Sequence, residues 1–254
     1  MFEKTAKMRT RRILITVEYK GTNYFGWQKN GELRTISGEL ESAFNRLIGR
    51  DIAIYGSGRT DAGVHAVEQA AHLDIPFDFM PTKKIPEAVN AFLPEDIRVK
   101  TAKDVSEKFH ARYNVKTKTY LYKIYTGAVS SPLRAGLYAF VPAVLDYEKM
   151  KAAAAVFVGK HDFSAFCTSG GDSESFDREI VSFDVVKGKG EFYFYVCGKG
   201  FLYNMVRYLV GTVIKAGKNK ITPEQIALAL STGDKSSVGE KMPAEGLYLY
   251  KVEY

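Results

Sequence analysis

Two stretches of this chain share one predicted order of elements, and this repetition constrains the fold more than any single motif. Apolar residues that alternate or run together predict strands, and apolar residues at helical spacing predict helices. The first stretch has predicted strands over residues 13–19, 52–57, 67–73 and 97–103, and predicted helices over 40–48 and 85–92. Its order is therefore strand, helix, strand, strand, helix, strand. Gly49 is placed as the C-terminal stop of the first helix.

The second stretch repeats this order. Strands are predicted over 119–125, 180–186, 192–196 and 247–252, and helices over 150–158 and 203–216. Asp146 is a suitable N-cap for the first of these helices. Thr222-Pro223-Glu224-Gln225 has the pattern of a capping box with proline at the first helical position, so a further helix follows it.

The predicted fold is therefore α+β, with two ferredoxin-like β-α-β-β-α-β halves whose mainly antiparallel sheets lie side by side. We divide the chain into a basic leader (1–11), an N-terminal half (12–107) and a C-terminal half (108–254). Sheets placed side by side leave a central cleft, a common position for ligands. The small, polar loop over 168–175 is the predicted mobile insertion.

Charge and composition narrow the classes of function. The chain has 36 Lys and Arg against 29 Asp and Glu, a net charge of +7, and a polyanionic partner is one reason for such a bias. Its two cysteines form no C-x-x-C pair and its four histidines lack ligand spacing, so no metal site is predicted. No run of 18 apolar residues and no signal-like segment is found, which favours a cytoplasmic protein.

The segment Gly58-Arg59-Thr60-Asp61-Ala62-Gly63-Val64-His65 places one carboxylate in a glycine-rich turn. The glycines at 56, 58 and 63 are expected to allow left-handed turns and a close approach to a ligand. Such a stiff loop can direct one acid, Asp61, at a substrate. The alternative is an aspartate in an ordinary turn.

Two further residues stand out from their surroundings. Arg207 lies on a largely apolar predicted helix, where a cation needs a partner because an unpaired buried charge is costly. Tyr120 shares one strand face with Tyr122 and Ile124. Aromatic strand residues of this kind are most often part of the core.

The aspartate segment resembles the signature of the TruA family of tRNA pseudouridine synthases. Other stretches resemble the same family, in its order, from about residue 13 to the last strand: 18–21, 24–28, 109–112, 118–120, 161–163, 201–207 and 245–249. Ser57 departs from the alanine that is more usual there and leaves the turn intact. The basic leader lies outside the resemblance.

The resemblance implies a role for each candidate residue. Asp61 is the nucleophile, Arg207 is its ion-pair partner, and Arg59 either holds a phosphate or enters the RNA stack that the uridine has left. Tyr120 stacks on the extruded uracil and is the candidate acceptor of its C5 proton. The remaining substrate-binding candidates are Leu247, as floor of the pocket, and His110 and Arg112, as phosphate contacts.

One carboxylate suffices for this chemistry. Pseudouridine forms when the N1–C1′ bond breaks and the same uracil rejoins the ribose through C5, so neither water nor a redox partner is consumed. A hydrolytic glycosidase usually needs two carboxylates, whereas an isomerase that keeps its leaving group can use one. Asp61 attacks C1′ or uracil C6, or removes the 2′ proton; the residues leave this open.

The resemblance also implies a cofactor-free enzyme that modifies uridines 38, 39 and 40 in the anticodon arm of tRNA, and a homodimer with one tRNA spanning both subunits. A pseudouridine synthase with another RNA target and a non-catalytic RNA-binding module are the alternatives. A phosphate-binding enzyme with a glycine-rich loop is disfavoured, since neither G-x-x-x-x-G-K-[ST] nor G-x-G-x-x-G is present.

Overall fold

Within residues 9–168 and 175–254, which the computed structural model describes, ten strands form one sheet. The strands are β1 (Thr10–Tyr19), β2 (Tyr55–Gly56), β3 (His65–Pro76), β4 (Ile97–Val105), β5 (Thr117–Thr126), β6 (Ala139–Val141), β7 (Gly159–Asp162), β8 (Asp177–Lys187), β9 (Glu191–Gly198) and β10 (Leu247–Glu253). The α-helices are α1 (Ile36–Ile48), α2 (Ile85–Asn90), α3 (Tyr147–Val156), α4 (Met205–Gly217) and α5 (Pro223–Thr232).

The strand order shows how the two halves meet. The main path is β4-β1-β3-β10-β5-β9-β8-β7, with β2 paired to β3 and β6 paired to β5. The β3–β10 and β5–β6 pairs are parallel and the others are antiparallel. In the β3–β10 pair, Tyr248 lies opposite His65 and Leu249 opposite Ala66. The sheets expected side by side are thus joined into one mostly antiparallel sheet, and the predicted α+β class is confirmed.

The helix ends follow the predicted chemistry. Gly49 caps α1 in the left-handed conformation with φ of 78°. The side chain of Asp146 accepts a hydrogen bond from the backbone N–H of Lys149 at the start of α3. Thr222 and Gln225 form the complete capping box of α5. These three predictions are confirmed.

Two parts of the predicted strand pattern differ from the structure. The strand expected over 52–57 is reduced to β2, because the backbone N–H groups of Ile52 and Ile54 donate to the side chains of Asn45 and Glu41 on α1 instead of to a neighbouring strand. The short strands β6 and β7 were not predicted, since three or four residues carry too little periodicity to be recognised.

The basic leader continues into the sheet. Arg11 and Arg12 belong to β1 and form ion pairs with Asp104 and Asp74, the second with 2.7 Å between Arg12 Nε and Asp74 Oδ1. Residues 1–8 and 169–174 lie outside the described residues, so most of the predicted leader (1–11) and of the predicted mobile insertion (168–175) lies outside them as well. No helix in the described part of the chain combines the length and apolar character needed to cross a membrane.

A buried histidine holds the junction between β3 and β10. His65 Nδ1 accepts a hydrogen bond from the backbone N–H of Gly21 at 2.9 Å, and Nε2 lies 3.2 Å from the carbonyl oxygen of Glu245. Its ring stacks on Tyr248 with 4.6 Å between centroids. Burial is the main cause that lowers the pKa of His65 to about 4, so the ring is neutral near pH 7.

We expect the free energy of unfolding to fall as the pH is lowered from about 6.5 to about 4, because unfolded His65 takes up a proton that the folded protein excludes. The stability from this group is complete above pH 6.5, and its loss is on the order of 3 kcal/mol. Urea unfolding over this pH range measures it. His65→Gln is the control that does not titrate, and equal pH slopes for both proteins would contradict the expectation.

Candidate active site

A cavity of about 820 Å³ lies where the two halves meet. Its walls come from the segments around residues 27–41 and 54–64 of the first half, and 110–120, 201–206 and 247 of the second. Six of the predicted site residues line it: Arg59, Asp61, His110, Arg112, Tyr120 and Leu247. Arg207 lies behind this wall. The structure therefore brings together side chains that are as much as 188 positions apart in the chain, counting from Arg59 to Leu247.

The glycines of the aspartate segment have different functions. Gly63 has φ of 78°, as expected for a left-handed turn, but Gly56 and Gly58 do not have positive φ. A Cβ atom on Gly56 would lie 2.6 Å from the ring of Trp27, and one on Gly58 would lie 2.5 Å from Lys118 Nζ. The expectation of left-handed turns was therefore right only for Gly63. The other two glycines allow close packing.

A buried hydrogen-bond network supports the loop from below. Ser57 Oγ donates to Gln69 Oε1 at 2.7 Å, and Gln69 Nε2 donates to the carbonyl oxygen of Gly58 at 3.0 Å. The hydroxyls of Tyr19 and Thr60 lie 2.8 Å apart. Sequence reasoning missed Gln69 as a supporting residue. Its signal was a polar side chain on the apolar face of β3.

The carboxylate of Asp61 faces a fixed positive charge. Asp61 Oδ2 lies 4.0 Å from Arg207 Nη1, with the side chains 29% and 13% exposed. Arg207 is held in turn by the carbonyl oxygen of Met242, 2.6 Å from Nε, and by Asn204 Oδ1, 2.7 Å from Nη1. At 4.0 Å the guanidinium acts on Asp61 through its charge, without a hydrogen bond between the two groups.

The pKa of Asp61 reflects two opposing effects. Burial raises it above the ordinary aspartate value, while the charges of Arg207 and Lys241 lower it. The net effect raises the pKa of Asp61, so the carboxylate is more basic than an exposed aspartate. A more basic carboxylate is also a better nucleophile or proton acceptor.

We expect Arg207→Ala to lower both stability and turnover. The free energy of unfolding should fall by about 2 to 4 kcal/mol, because the carbonyl of Met242 and the side chain of Asn204 lose a charged donor. Loss of the charge raises the pKa of Asp61 further, so the acid limb of the pH–rate profile should move to higher pH. Arg207→Lys keeps the charge and should therefore move the acid limb part of the way back toward its wild-type position. Unchanged activity and melting temperature in Arg207→Ala would exclude Arg207 as the partner of Asp61.

Tyr120 lies on β5 beside the aspartate. It is 9% exposed, and its ring meets Phe201 edge to face with 5.0 Å between centroids. Burial is the largest cause that raises the pKa of the Tyr120 hydroxyl, with Tyr19 and Asp61 adding to it. The phenol is therefore neutral at physiological pH. Leu247, which is also buried, lies opposite Tyr122 in the β10–β5 pair and forms part of the same cavity wall.

Cationic side chains line the cavity close to the aspartate loop in the chain or in space. Arg59 and Arg112 are exposed, and both line it. Lys118 is more enclosed, and its Nζ donates to the carbonyl oxygen of Ser57 at 2.7 Å. Burial, with a smaller effect from Arg112, lowers the pKa of Lys118 to about 8. Positive charge is thus concentrated beside the aspartate loop, as a polyanionic substrate requires.

Comparison with known sequences and solved structures gives matches over most of this chain. A family model described as tRNA pseudouridine synthase matches residues 15–114 and 153–254. The tRNA pseudouridine synthase A of Caldicellulosiruptor saccharolyticus is 40% identical over 96% of this chain and 100% of its own length. That of Staphylococcus carnosus is 40% identical over 95% of this chain and 90% of its own length. Among solved structures, the archaeal box H/ACA sRNP Nop10-Cbf5 complex contains a chain that superposes on 92% of this one, covering 46% of that chain, with a TM-score of 0.38 and 13% identity.

Proposed function

Because this chain belongs to the tRNA pseudouridine synthase family, and so is an isomerase acting on uridine in tRNA, we propose that Asp61 is its catalytic carboxylate. The observation that carries this is the position of Asp61 on the cavity wall, 4.0 Å from the partly buried Arg207 and beside Tyr120. The cavity's volume of about 820 Å³ lies within the range of cavities that enclose small ligands, so we infer that it has room for an extruded nucleotide.

The reaction needs few groups, and the site supplies them. The N1–C1′ bond of uridine breaks, the C5–C1′ bond forms, C5 loses its proton and N1 gains one. Asp61 forms the transient covalent bond or removes the proton that starts this exchange, and Arg207 stabilises its negative charge. Tyr120 stacks on the uracil. Since its phenol is neutral, it accepts the C5 proton only if it releases its own to a neighbouring base.

The RNA-binding assignments follow from charge and position. Arg59 and Arg112 are exposed cations that line the cavity, and we assign both to phosphates of the tRNA. Leu247 supports the uracil from below. Burial and the charges of Arg12 and Arg112 lower the pKa of His110, so this imidazole is neutral at pH 7 and brings no positive charge to a phosphate.

The same proposal includes the two halves of the chain, the target uridines and the oligomeric state. We assign residues 12–107 and 108–254 to two ferredoxin-like halves, supported by the matching strand orders β4-β1-β3-β2 and β10-β5-β9-β8. The target uridines are those at positions 38, 39 and 40 in the anticodon arm, and the enzyme acts as a cytoplasmic homodimer without a cofactor. These assignments rest on the family resemblance of the motifs.

Mapping pseudouridine in tRNA treated with the protein tests both the activity and the target. The full chain is incubated with unmodified tRNA transcripts and no added cofactor, and pseudouridine is mapped by carbodiimide modification and reverse-transcription stops. We expect stops at positions 38 to 40 of tRNAs that carry uridine there. Stops confined to other positions would overturn the proposed target, and no stops in any tRNA would overturn the activity.

A further inference from the structure

A group of aromatic rings, two of them exposed to solvent, lines part of the cavity wall. We call Tyr55, His110 and Tyr113 the aromatic ledge; all three line the same cavity as the aspartate. Tyr55 is 52% exposed and Tyr113 is 76% exposed, so each has a ring face open to solvent. Large exposed aromatic side chains beside an active site are expected to contact a ligand.

The rings of the ledge support one another. The Tyr55 ring stacks on the buried His72 with 5.0 Å between centroids and 19° between planes. His110 packs edge-on against His72 at 4.6 Å and lies 4.3 Å from Tyr113. Tyr55 comes from β2, the supporting His72 from β3, and His110 and Tyr113 from the segment that joins the two halves. They form a continuous surface only in the folded protein.

Hydrogen bonds hold the segment 109–114 in place. His72 Nδ1 accepts from the backbone N–H of Ala111 at 3.1 Å, and the Tyr254 hydroxyl donates to the carbonyl oxygen of Ala111 at 2.8 Å. His110 Nδ1 accepts from the backbone N–H of Arg112 at 3.1 Å. The backbone N–H of His110 donates to Asn114 Oδ1 at 2.7 Å. A surface ordered in advance loses little conformational entropy when a ligand binds.

The charge around the ledge indicates what it binds. Burial is the main cause that lowers the pKa of His72 to about 4, and the pKa of His110 is lowered by burial and by Arg12 and Arg112. Both imidazoles are thus neutral rings near pH 7, suited to stacking more than to holding a phosphate. Two cations, Arg112 and Lys118, line the same cavity.

We propose that the aromatic ledge binds an unpaired nucleobase of the tRNA substrate, next to the uridine that enters the cavity, by stacking it on the open faces of Tyr55 and Tyr113. This inference rests on the proposed function. Flat apolar faces within a basic cavity match a nucleic acid, whose bases stack and whose phosphates need cations. Stacking tolerates every base, so the ledge positions the RNA strand without reading its sequence.

Binding and steady-state kinetics with full-length tRNA test the ledge. Tyr113→Ala should raise both Kd and KM by roughly 5- to 150-fold, the range found for loss of one base–aromatic stack, with kcat nearly unchanged. Tyr113→Phe keeps the ring and should behave as wild type. Tyr113 is the better position for this test because its exposure makes the substitution harmless to folding. Tyr55→Ala and Tyr55→Phe form the second pair.

Salt dependence separates stacking from charge. Tyr113→Ala should leave the slope of log K against log salt unchanged, whereas Arg112→Ala should lower it by about one unit. Transcripts with one abasic nucleotide at each unpaired position identify the base: removing the correct one should weaken wild-type binding but not that of Tyr113→Ala. Wild-type Kd and KM in both Tyr113→Ala and Tyr55→Ala, with an active wild-type enzyme, would overturn the ledge alone. An inactive wild-type enzyme would overturn the proposed function instead.

Discussion

Asp61→Ala and Asp61→Asn are expected to abolish pseudouridine formation while tRNA still binds. Asp61 is the one carboxylate that the structure pairs with Arg207 on the cavity wall, among the residues it describes. Loss of a covalent nucleophile or essential base should raise the barrier by several kcal/mol, which is a rate decrease of at least about 10⁴-fold. Release of tritium from tRNA labelled at uracil C5 measures turnover, since that hydrogen leaves in the reaction.

The asparagine variant is the more informative of the two. It keeps the shape of the side chain and removes only the charge, so tRNA affinity and melting temperature should remain close to wild type. A partly buried carboxylate with a raised pKa contributes little to stability, and its removal should not unfold the protein. Substantial turnover in Asp61→Ala would show that another group performs the reaction.

Tyr120→Phe is expected to have the second largest effect. The substitution keeps the ring and its edge-to-face contact with Phe201, and removes only the hydroxyl. If the hydroxyl transfers a proton, turnover should fall by roughly 10²- to 10⁴-fold while the affinity for tRNA changes little. Single-turnover kinetics with saturating enzyme separate these two quantities.

Tyr120→Ala provides the matching control. It removes both the ring and the hydroxyl, so it should lose stability, because Tyr120 is largely buried, and also lose the stacking surface for uracil. Wild-type turnover in Tyr120→Phe together with failure of Tyr120→Ala would make the tyrosine a stacking surface only. In that case Asp61 and solvent would have to donate and accept the protons of the reaction.

Much of the fold was accessible from local patterns. The capping residues Asp146 and Thr222 and the stop at Gly49 were predicted correctly, because each depends on a few neighbours along the chain. The strand over 52–57 was too long, because the partners of its backbone N–H groups are side chains on α1. Hydrophobic periodicity does not contain that information.

For the candidate site too, the sequence determined one part and the tertiary structure another. The sequence alone determined that Asp61 lies in a glycine-rich segment, and that Arg207 on an apolar helix needs a partner. The 4.0 Å approach of these two residues was decided by the tertiary structure. So were the close packing of Gly58 against Lys118 and the enclosure that lowers the pKa of that lysine to about 8.

The aromatic ledge shows most clearly what the sequence alone could not predict. Its three rings and the buried His72 that supports them belong to three separate segments, and no spacing in the chain relates them. The sequence by itself determined local conformation, because periodicity and capping act between residues a few positions apart. Only the tertiary structure decided which distant side chains meet, because that depends on strand order and on the parallel pairing of β3 with β10.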